Sequence, residues 1–183
     1  MTTGVFGGAF DPPHNGHLAV LSGAERHFTF ARTLVLVVAD PGHRTVRSPG
    51  DVRLALARLA FPEHDVELDE HARTVDLLRA RQFDDPVFLI GADELADFPS
   101  WKEPAAVLEL ARLGVATRPG HPREALEAVR ATLSQPGRVV FFEIDPVPVS
   151  STDVRARLAR GEAVDDLVPP AVDDEIERLG LYR

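Results

Sequence analysis

Two hydrophobic patterns alternate along this chain of 183 residues. Short apolar runs rich in β-branched residues predict six strands, at residues 3–6, 33–39, 65–68, 86–90, 113–117 and 138–144. Between them, apolar residues recur at helical spacing and predict seven helices, at residues 16–27, 49–60, 74–82, 103–111, 122–134, 152–160 and 170–179. Ser48 followed by Pro49 predicts how the second helix begins, with the serine as N-cap and the proline as first helical residue.

Several predicted strands are almost entirely apolar, which is typical of parallel strands buried on both faces. Strands that alternate with helices indicate an α/β fold. Because crossovers between parallel strands are right-handed, we expect a doubly wound, Rossmann-like, mostly parallel sheet with helices on both faces. No repeat or change of composition marks a linker, so we predict one domain over residues 1–183, with a C-terminal helical part from about 150 to 183.

Composition narrows the chemistry available to such a domain. The chain contains no cysteine, which excludes disulfides, thiolate catalysis and cysteine-ligated metal centres. A formal net charge of −9 argues against a general nucleic-acid binder. Lys102 is the only lysine, so almost every positive charge is a guanidinium, whose planar fork suits phosphate or carboxylate.

Location and assembly are constrained less strongly. No stretch approaches the roughly 20 apolar residues of a membrane-spanning helix, and the N-terminus lacks a basic region followed by an apolar run. We therefore expect a cytoplasmic protein with neither membrane nor nucleic-acid partners. A homo-oligomer stays open, because apolar helix faces that serve a core and those that serve an interface look alike in sequence.

The loop after the first predicted strand reads GGAFDPPHNGH over residues 7–17. Gly7 and Gly8 can adopt backbone conformations closed to other residues and allow a ligand to approach the main chain. The following helix offers free N–H groups to an anion, and His14 and His17 can donate hydrogen bonds to phosphate oxygens. Taken singly, these features also fit an ordinary turn with surface histidines or half of a metal site, although no third zinc ligand is evident.

A second candidate anion site begins at Ser150. Ser150, Ser151 and Thr152 supply hydroxyls and amides at another predicted helix N-terminus, and Arg155 lies one turn into that helix. The alternative is a plain capping box that pairs Ser150 with Asp153.

These segments together resemble the nucleotidyltransferase superfamily that carries the HxGH signature, and most closely the bacterial nicotinate mononucleotide adenylyltransferase family. His14 to His17 is similar to HxGH, and residues 41–44 (PGHR) to the family's phosphate-gripping PPHK. Gly91 to Asp93 with Trp101 is similar to its GxD…W segment, and residues 117–120 (TRPG) to its RPG turn. Further matches in the same order are residues 150–155 (SSTDVR) with SSTxIR and residues 168–182 with the C-terminal VP…LY stretch.

The resemblance implies roles for individual residues. His14, His17 and Arg155 would be catalytic, holding the ATP triphosphate with Ser151. Asp93 would bind a nucleotide sugar, and Gly7, Gly8 and Phe10 would form the floor under the ligand. The remaining implied ATP contacts are Ser150 and Thr152, and the implied contacts to the second substrate are Arg44, Arg73, Thr74 and Trp101.

The implied reaction joins ATP to a pyridine mononucleotide and releases pyrophosphate. The attacking phosphate has a second pKa near 6 and is mostly dianionic at neutral pH, so no general base is required. Charge neutralisation is required instead. Mg²⁺ is expected to accompany the triphosphate with several waters and few protein ligands, so we predict no metal-binding residues.

The chain departs from the family where SYTxxTL is usual, because Arg73 stands at the tyrosine and Leu77 at the second threonine. We hypothesise that Arg73 pairs with the carboxylate of nicotinate, which would favour the acid over the amide. A solvent-facing arginine is the plainer alternative. Trp101 could likewise stack on the pyridine or serve only as a core anchor.

Three functions follow from these observations. The first is adenylyl transfer to nicotinate mononucleotide, giving deamido-NAD. The second keeps the catalytic core with another acceptor: nicotinamide mononucleotide, phosphopantetheine or a small phosphate ester. The third is a nucleotide-binding regulator without turnover.

Overall fold

The structure is a computed structural model that describes residues 1–42, 45–117 and 123–183. Its six strands are β1 (Thr3–Gly8), β2 (Arg32–Val38), β3 (Asp65–Asp69), β4 (Pro86–Gly91), β5 (Arg112–Thr117) and β6 (Val139–Glu143). They form one sheet in the order β3-β2-β1-β4-β5-β6. This is the order of a doubly wound Rossmann-like sheet.

Eight α-helices lie between or after the strands in the described ranges. They are α1 (Asn15–His27), α2 (Gly50–Ala60), α3 (Thr74–Ala80), α4 (Ala92–Asp97), α5 (Pro104–Leu110), α6 (Arg123–Thr132), α7 (Ser151–Ala159) and α8 (Pro170–Leu179). None of them, within the part of the chain described, is long and apolar enough to cross a bilayer.

The central strands pair in parallel, as their apolar sequences predict. Thr3 to Phe6 of β1 align with Pro86 to Leu89 of β4, and β4 aligns in turn with β5 and β5 with β6, all in parallel. The first five residues of β4 are all buried. Continuous apolar sequence is therefore explained by burial on both faces.

All six predicted strands and all seven predicted helices are present, with ends shifted by at most two residues. Sequence patterning missed α4, whose six residues are too few to show helical periodicity. The predicted N-cap of α2 is wrong, because Pro49 is the N-cap and no side chain caps the helix. The Ser48 hydroxyl instead donates to the Tyr182 hydroxyl at 2.8 Å, a partner that local sequence cannot indicate.

The chain divides into two compact units. The first contains residues 1–7, 20–34 and 73–146, and the second contains residues 8–19, 35–72 and 147–183. The prediction of a single domain over the whole chain stays a prediction. Its C-terminal part contains the two helices α7 and α8.

Candidate functional site

Hydrogen bonds within the HNGH turn, residues 14–17 of the second unit, link its two histidines. His14 precedes α1, and its carbonyl accepts from the amide of His17 at 2.8 Å. In return, the amide of His14 donates to Nδ1 of His17 at 3.1 Å. His17 thus occupies the position at which glutamate or glutamine completes a capping box. The spacing of three residues between the histidines is what this reciprocal pair of bonds requires.

This arrangement fixes where the proton of His17 lies. Because Nδ1 accepts a hydrogen bond from a backbone amide, the neutral ring carries its proton on Nε2. The rings of His14 and His17 stack with their centroids 3.7 Å apart and an interplanar angle of 27°. His17 therefore has a defined tautomer and a defined orientation, with Nε2–H as a donor.

His14 is the more enclosed of the two histidines, with 8% of its surface exposed. Burial lowers its pKa to about 4, against a smaller opposing effect of Asp153, so the ring is neutral at pH 7. Its Nδ1 is buried without a hydrogen-bond partner among the described residues. Gly16 makes this packing possible, because a Cβ there would lie 3.0 Å from Nδ1 of His14.

Phe10 supports the histidine pair from below the surface. Its ring is 1% exposed and meets the ring of His17 edge-on, with centroids 4.9 Å apart. A Cβ at Gly8 would lie 2.9 Å from Cζ of Phe10. Gly7 and Gly8 both lie in β1 without positive φ, so neither uses the left-handed conformation that is open to glycine. Gly8 is required because it makes room for the ring of Phe10.

The second predicted anion site, at the start of α7, also lies in the second unit. Ser150 caps the helix, accepting from the amide of Asp153 at 3.1 Å and donating to its carboxylate at 2.6 Å. Ser150 is therefore a side-chain N-cap whose hydroxyl proton is occupied. A full capping box would need the backbone amide of Ser150 to donate to Asp153, and among the described hydrogen bonds the hydroxyl donates instead. Ser151 donates its own hydroxyl proton to the carbonyl of Pro12 at 2.9 Å. The two serines hold the helix and the HNGH loop in place.

Backbone donors remain at both helix starts. Within the ranges described, the amides of Gly16, Ser151 and Thr152 have no acceptor. The amide of Asn15 donates to the carbonyl of Leu167 at 2.9 Å and is not available. The expectation of open N–H groups is thus met at some positions of the first turns and not at others.

Arg155 connects α7 to the loop before α1. Its Nη1 donates to the carbonyl oxygen of Asp11 at 2.6 Å, and its Nη2 donates to Oγ1 of Thr152 at 3.2 Å. Nη1 also lies 4.0 Å from the carboxylate of Asp11. The Arg155 side chain is 18% exposed, so the charge is positioned but still accessible to a ligand. We call His14, His17, Ser151 and Arg155 the histidine cluster.

Sequence reasoning missed a buried network behind this cluster. The carboxylate of Asp11 accepts from the hydroxyl of Tyr182 at 2.8 Å and from the amides of Arg47 and Ser48 at 2.6 and 3.2 Å. Arg53 is 1% exposed and donates to four carbonyl oxygens, those of Ala9, Val38, Ala39 and Ser48. The residues that could have indicated this network in the sequence are Asp11, in the loop before HNGH, and Tyr182, the only tyrosine.

Other predicted site residues lie in the first unit. Gly7 is in β1, and a Cβ there would lie 3.2 Å from Cζ of Phe88. Asp93 is exposed in the first turn of α4. Arg73 is the exposed N-cap residue of α3, and Thr74 is the first helical residue.

Trp101 is half-buried in the first unit. Its ring packs against Phe98, with centroids 5.2 Å apart, and meets Phe88 edge-on at 6.4 Å. One part of the indole thus anchors to apolar rings while another part stays exposed. We call residues 98–103 the tryptophan segment.

Exposed ion pairs link the tryptophan segment to α3. Nζ of Lys102 lies 2.8 Å from the carboxylate of Asp76, and Arg79 lies 2.7 Å from Glu103. Glu103 has φ of 50°, in the left-handed region. These pairs are solvent-exposed, so each contributes little to stability.

One predicted contact, Arg44, lies outside the described residues, as does the segment 118–120 of the RPG turn. Among the residues that are described, no group of three or more histidine, aspartate or glutamate side chains could hold a metal ion.

Comparison with known proteins assigns the chain to a family. A model of the cytidylyltransferase-like family matches residues 5–157. A protein of Thermus thermophilus named probable nicotinate-nucleotide adenylyltransferase is 38% identical over the whole of both chains. One of Thermomicrobium roseum with the same name is 36% identical, over 98% of this chain and 91% of the relative. The chain therefore belongs to the cytidylyltransferase-like nucleotidyltransferases and, among them, to the nicotinate-nucleotide adenylyltransferases.

Solved structures agree on the fold. Plasmodium falciparum nicotinic acid mononucleotide adenylyltransferase complexed with NaAD matches with a TM-score of 0.78, covering 99% of this chain and 97% of that one at 18% identity. The same enzyme complexed with APC matches with a TM-score of 0.76, covering 99% and 96%. The predicted fold class and the predicted family are both confirmed.

Proposed function

We propose that this protein transfers the adenylyl group of ATP to nicotinate mononucleotide. A phosphate oxygen of the mononucleotide attacks the α-phosphorus of ATP, and a new P–O bond forms. The bond from the α-phosphorus to the oxygen that bridges to the β-phosphorus breaks, and its electron pair leaves with pyrophosphate. The products are deamido-NAD and pyrophosphate.

The observation that carries this proposal is the His14–His17 pair with its fixed tautomer. Nε2 of His17 is a donor whose direction is set by a backbone hydrogen bond and by ring stacking. Such preorganised donors stabilise charge that develops on phosphate oxygens in the transition state. We assign His17 to this role at the α-phosphate.

Burial gives His14 a different character. A ring with a pKa of about 4 is neutral before substrate binds, so it acts by hydrogen bonding and not by bringing a charge. The positive charge comes from Arg155, whose Nη1 and Nη2 are already positioned by Asp11 and Thr152. We infer that Arg155 neutralises the triphosphate together with the open amides at the start of α7.

The hydroxyls at the start of α7 divide the work. The hydroxyls of Ser150 and Ser151 each donate their proton within the protein, so we assign both residues to positioning. Their contacts with ATP would be made by backbone groups. Thr152 accepts from Arg155 and keeps its own proton for a phosphate oxygen. Phe10, buried under His17, acts through that ring.

The composition of the described site fits Mg²⁺ that arrives with ATP. The ion would be held mainly by phosphate oxygens and water, as Mg²⁺ usually is beside a triphosphate. When bound, Mg²⁺ neutralises charge on the triphosphate and the departing pyrophosphate.

The first unit supplies our candidates for nucleoside recognition. The exposed part of Trp101 could stack on the pyridine ring, and Thr74 begins the helix beside Arg73. Arg73 would pair with the nicotinate carboxylate, Asp93 with a sugar, and Arg44 with a phosphate. A tyrosine at position 73, which is usual in the family, is neutral and would form no ion pair with that carboxylate.

An acceptor screen tests the function. Purified protein receives Mg-ATP and one acceptor at a time: nicotinate mononucleotide, nicotinamide mononucleotide, phosphopantetheine or a polyol phosphate, with CTP as alternative donor. Pyrophosphate release should be fastest with ATP and nicotinate mononucleotide. Release only with phosphopantetheine or a polyol phosphate would overturn the assigned acceptor. ATP binding without release for any acceptor would identify a non-catalytic nucleotide binder.

Location and assembly complete the proposal. We infer a cytoplasmic enzyme that acts on small molecules and has no nucleic-acid partner, supported by the acidic composition. Cell fractionation and light scattering of the purified protein would test the location and the oligomeric state.

A further inference from the structure

The penultimate residue of the chain reaches the loop that carries the two histidines. Gly180 ends α8 with φ of 62°, and the amide of Leu181 donates back to the carbonyl of Ile176 at 3.1 Å. Tyr182 then adopts φ of 63°, a backbone conformation that residues other than glycine rarely take. Two left-handed residues close together turn the chain end and bury the tyrosine ring, which is 8% exposed.

Two hydrogen bonds hold the phenol. Its oxygen accepts from the hydroxyl of Ser48 at 2.8 Å and donates to Oδ1 of Asp11 at 2.8 Å. Burial raises the pKa of Tyr182, so the phenol remains a donor at every pH at which an enzyme of this kind works. A strained backbone retained by two buried bonds indicates a specific demand at this position.

Asp11 passes this restraint to the histidine cluster. Its carboxylate is held by Tyr182 and by two backbone amides, while its own carbonyl oxygen accepts from Nη1 of Arg155 at 2.6 Å. The next residue, Pro12, accepts from Ser151. A shift of Asp11 would therefore move the acceptor that aims the guanidinium of Arg155.

We propose that Tyr182 is a positioning residue, which fixes Arg155 for triphosphate binding through the side chain and the carbonyl oxygen of Asp11. The proposal rests on the proposed role of Arg155 at the triphosphate. Tyr182 itself touches no substrate. The C-terminal tail thereby becomes part of the apparatus that binds ATP.

The test is a double-mutant cycle with Tyr182→Phe and Arg155→Ala in the full-length protein. Isothermal titration measures binding of inorganic tripolyphosphate, and steady-state kinetics measure KM for Mg-ATP and for nicotinate mononucleotide. Tyr182→Phe alone should weaken tripolyphosphate binding and raise KM for ATP roughly tenfold, leaving KM for the mononucleotide unchanged. In the Arg155→Ala background the same change should cost less than about twofold, because the residue it positions is gone.

Ile176→Val is the matched control for stability. It removes a buried methylene from α8 without touching the hydrogen-bond network, and thermal unfolding reports its cost. If it weakens tripolyphosphate binding as much as Tyr182→Phe does, the tyrosine is merely structural and the proposal is wrong. An equal effect of Tyr182→Phe with and without Arg155 would also overturn it.

A gentler variant covers the case in which Tyr182→Phe does not fold. Ser48→Ala keeps the bond from Tyr182 to Asp11 but removes the donor on its other side. We expect a two- to fivefold weakening of tripolyphosphate binding, and no measurable change would contradict the proposal. Tripolyphosphate binding can be measured without any acceptor, so it is independent of the proposed reaction. If the protein does not use nicotinate mononucleotide but the double-mutant cycle gives the expected binding changes, the proposed function is refuted. The positioning role of Tyr182 is then still supported.

Discussion

The histidine cluster and the tryptophan segment are built in different ways. In the cluster, Nδ1 of His17 accepts from the amide of His14, the two rings stack, and Arg155 is oriented by a carbonyl oxygen. The tryptophan segment is joined to α3 by two exposed ion pairs, and Trp101 is half-buried. The partly buried hydrogen bonds of the cluster fix a geometry more tightly than surface ion pairs do.

This difference matches what each region is proposed to do. Transition-state charge at phosphorus demands donors held in place before substrate arrives, which the partly buried histidine cluster provides. Recognition of a flat ring tolerates a more adjustable surface. We therefore expect mutations in the cluster to lower turnover and mutations near the tryptophan segment to alter substrate affinity and choice.

The largest effect should follow His17→Ala. Removing a preorganised donor at the α-phosphate should lower kcat by about 100- to 1000-fold, with a much smaller loss of ATP affinity. Steady-state kinetics and titration with ATP measure the two quantities. His27→Ala is the matched control, since His27 is exposed on the last turn of the same helix. Near-normal turnover of His17→Ala would remove this residue from the mechanism.

The buried state of His14 should appear as a pH dependence of stability. The unfolded histidine titrates near 6.5 and the folded one at about 4, so the unfolded state binds more protons between these values. Stability should therefore fall as the pH is lowered through this window, by up to about 3 kcal/mol from this group. Urea unfolding at several pH values measures the slope. His14→Gln should show a flatter dependence, and an unchanged slope would contradict the assignment.

Trp101→Ala tests the tryptophan segment. Loss of the indole should raise KM for nicotinate mononucleotide about tenfold, because one stacking surface disappears, while KM for ATP stays within about twofold. Phe98→Leu serves as the control, because it disturbs the packing beneath Trp101 and keeps the indole. If both variants raise KM for the mononucleotide equally, Trp101 is a core anchor.

The smallest effect concerns Arg73. Arg73→Ala should reduce the preference for the acid over the amide mononucleotide several-fold, as the exposed guanidinium loses its proposed carboxylate partner. The ratio of kcat/KM values for the two acceptors is the measurement. Arg79→Ala, on the same helix and paired with Glu103, should leave that ratio unchanged. An unaltered ratio in Arg73→Ala would disprove the pairing.

Local sequence patterns account for most of the fold and for part of the site. Apolar runs identify β2, β4 and β5, because strands buried on both faces have continuous apolar sequence. The shorter β3 reads DVELD and is only partly buried. Two pairs could be recognised in the sequence because their members lie three residues apart: His14 with His17, and Ser150 with Asp153. Family membership and the prediction of a nucleotidyltransferase are confirmed by the comparisons.

The contacts that escaped prediction are those between distant parts of the chain. Asp11 and Tyr182 are separated by 171 positions, and no periodicity connects them. Ser48 resembled a helix cap by its neighbours, yet its hydroxyl is used by the same distant tyrosine. The contact between Gly8 and Phe10 is likewise absent from local sequence, because only the folded chain places the ring of Phe10 where a Cβ would stand.

The central claim is that the histidine cluster holds the triphosphate. A crystal structure with a non-hydrolysable ATP analogue tests it most directly. We predict phosphate oxygens within about 3.2 Å of Nε2 of His17, of the guanidinium of Arg155 and of the open amides of Ser151 or Thr152. A triphosphate bound away from these groups would contradict the account, whatever the enzyme's turnover.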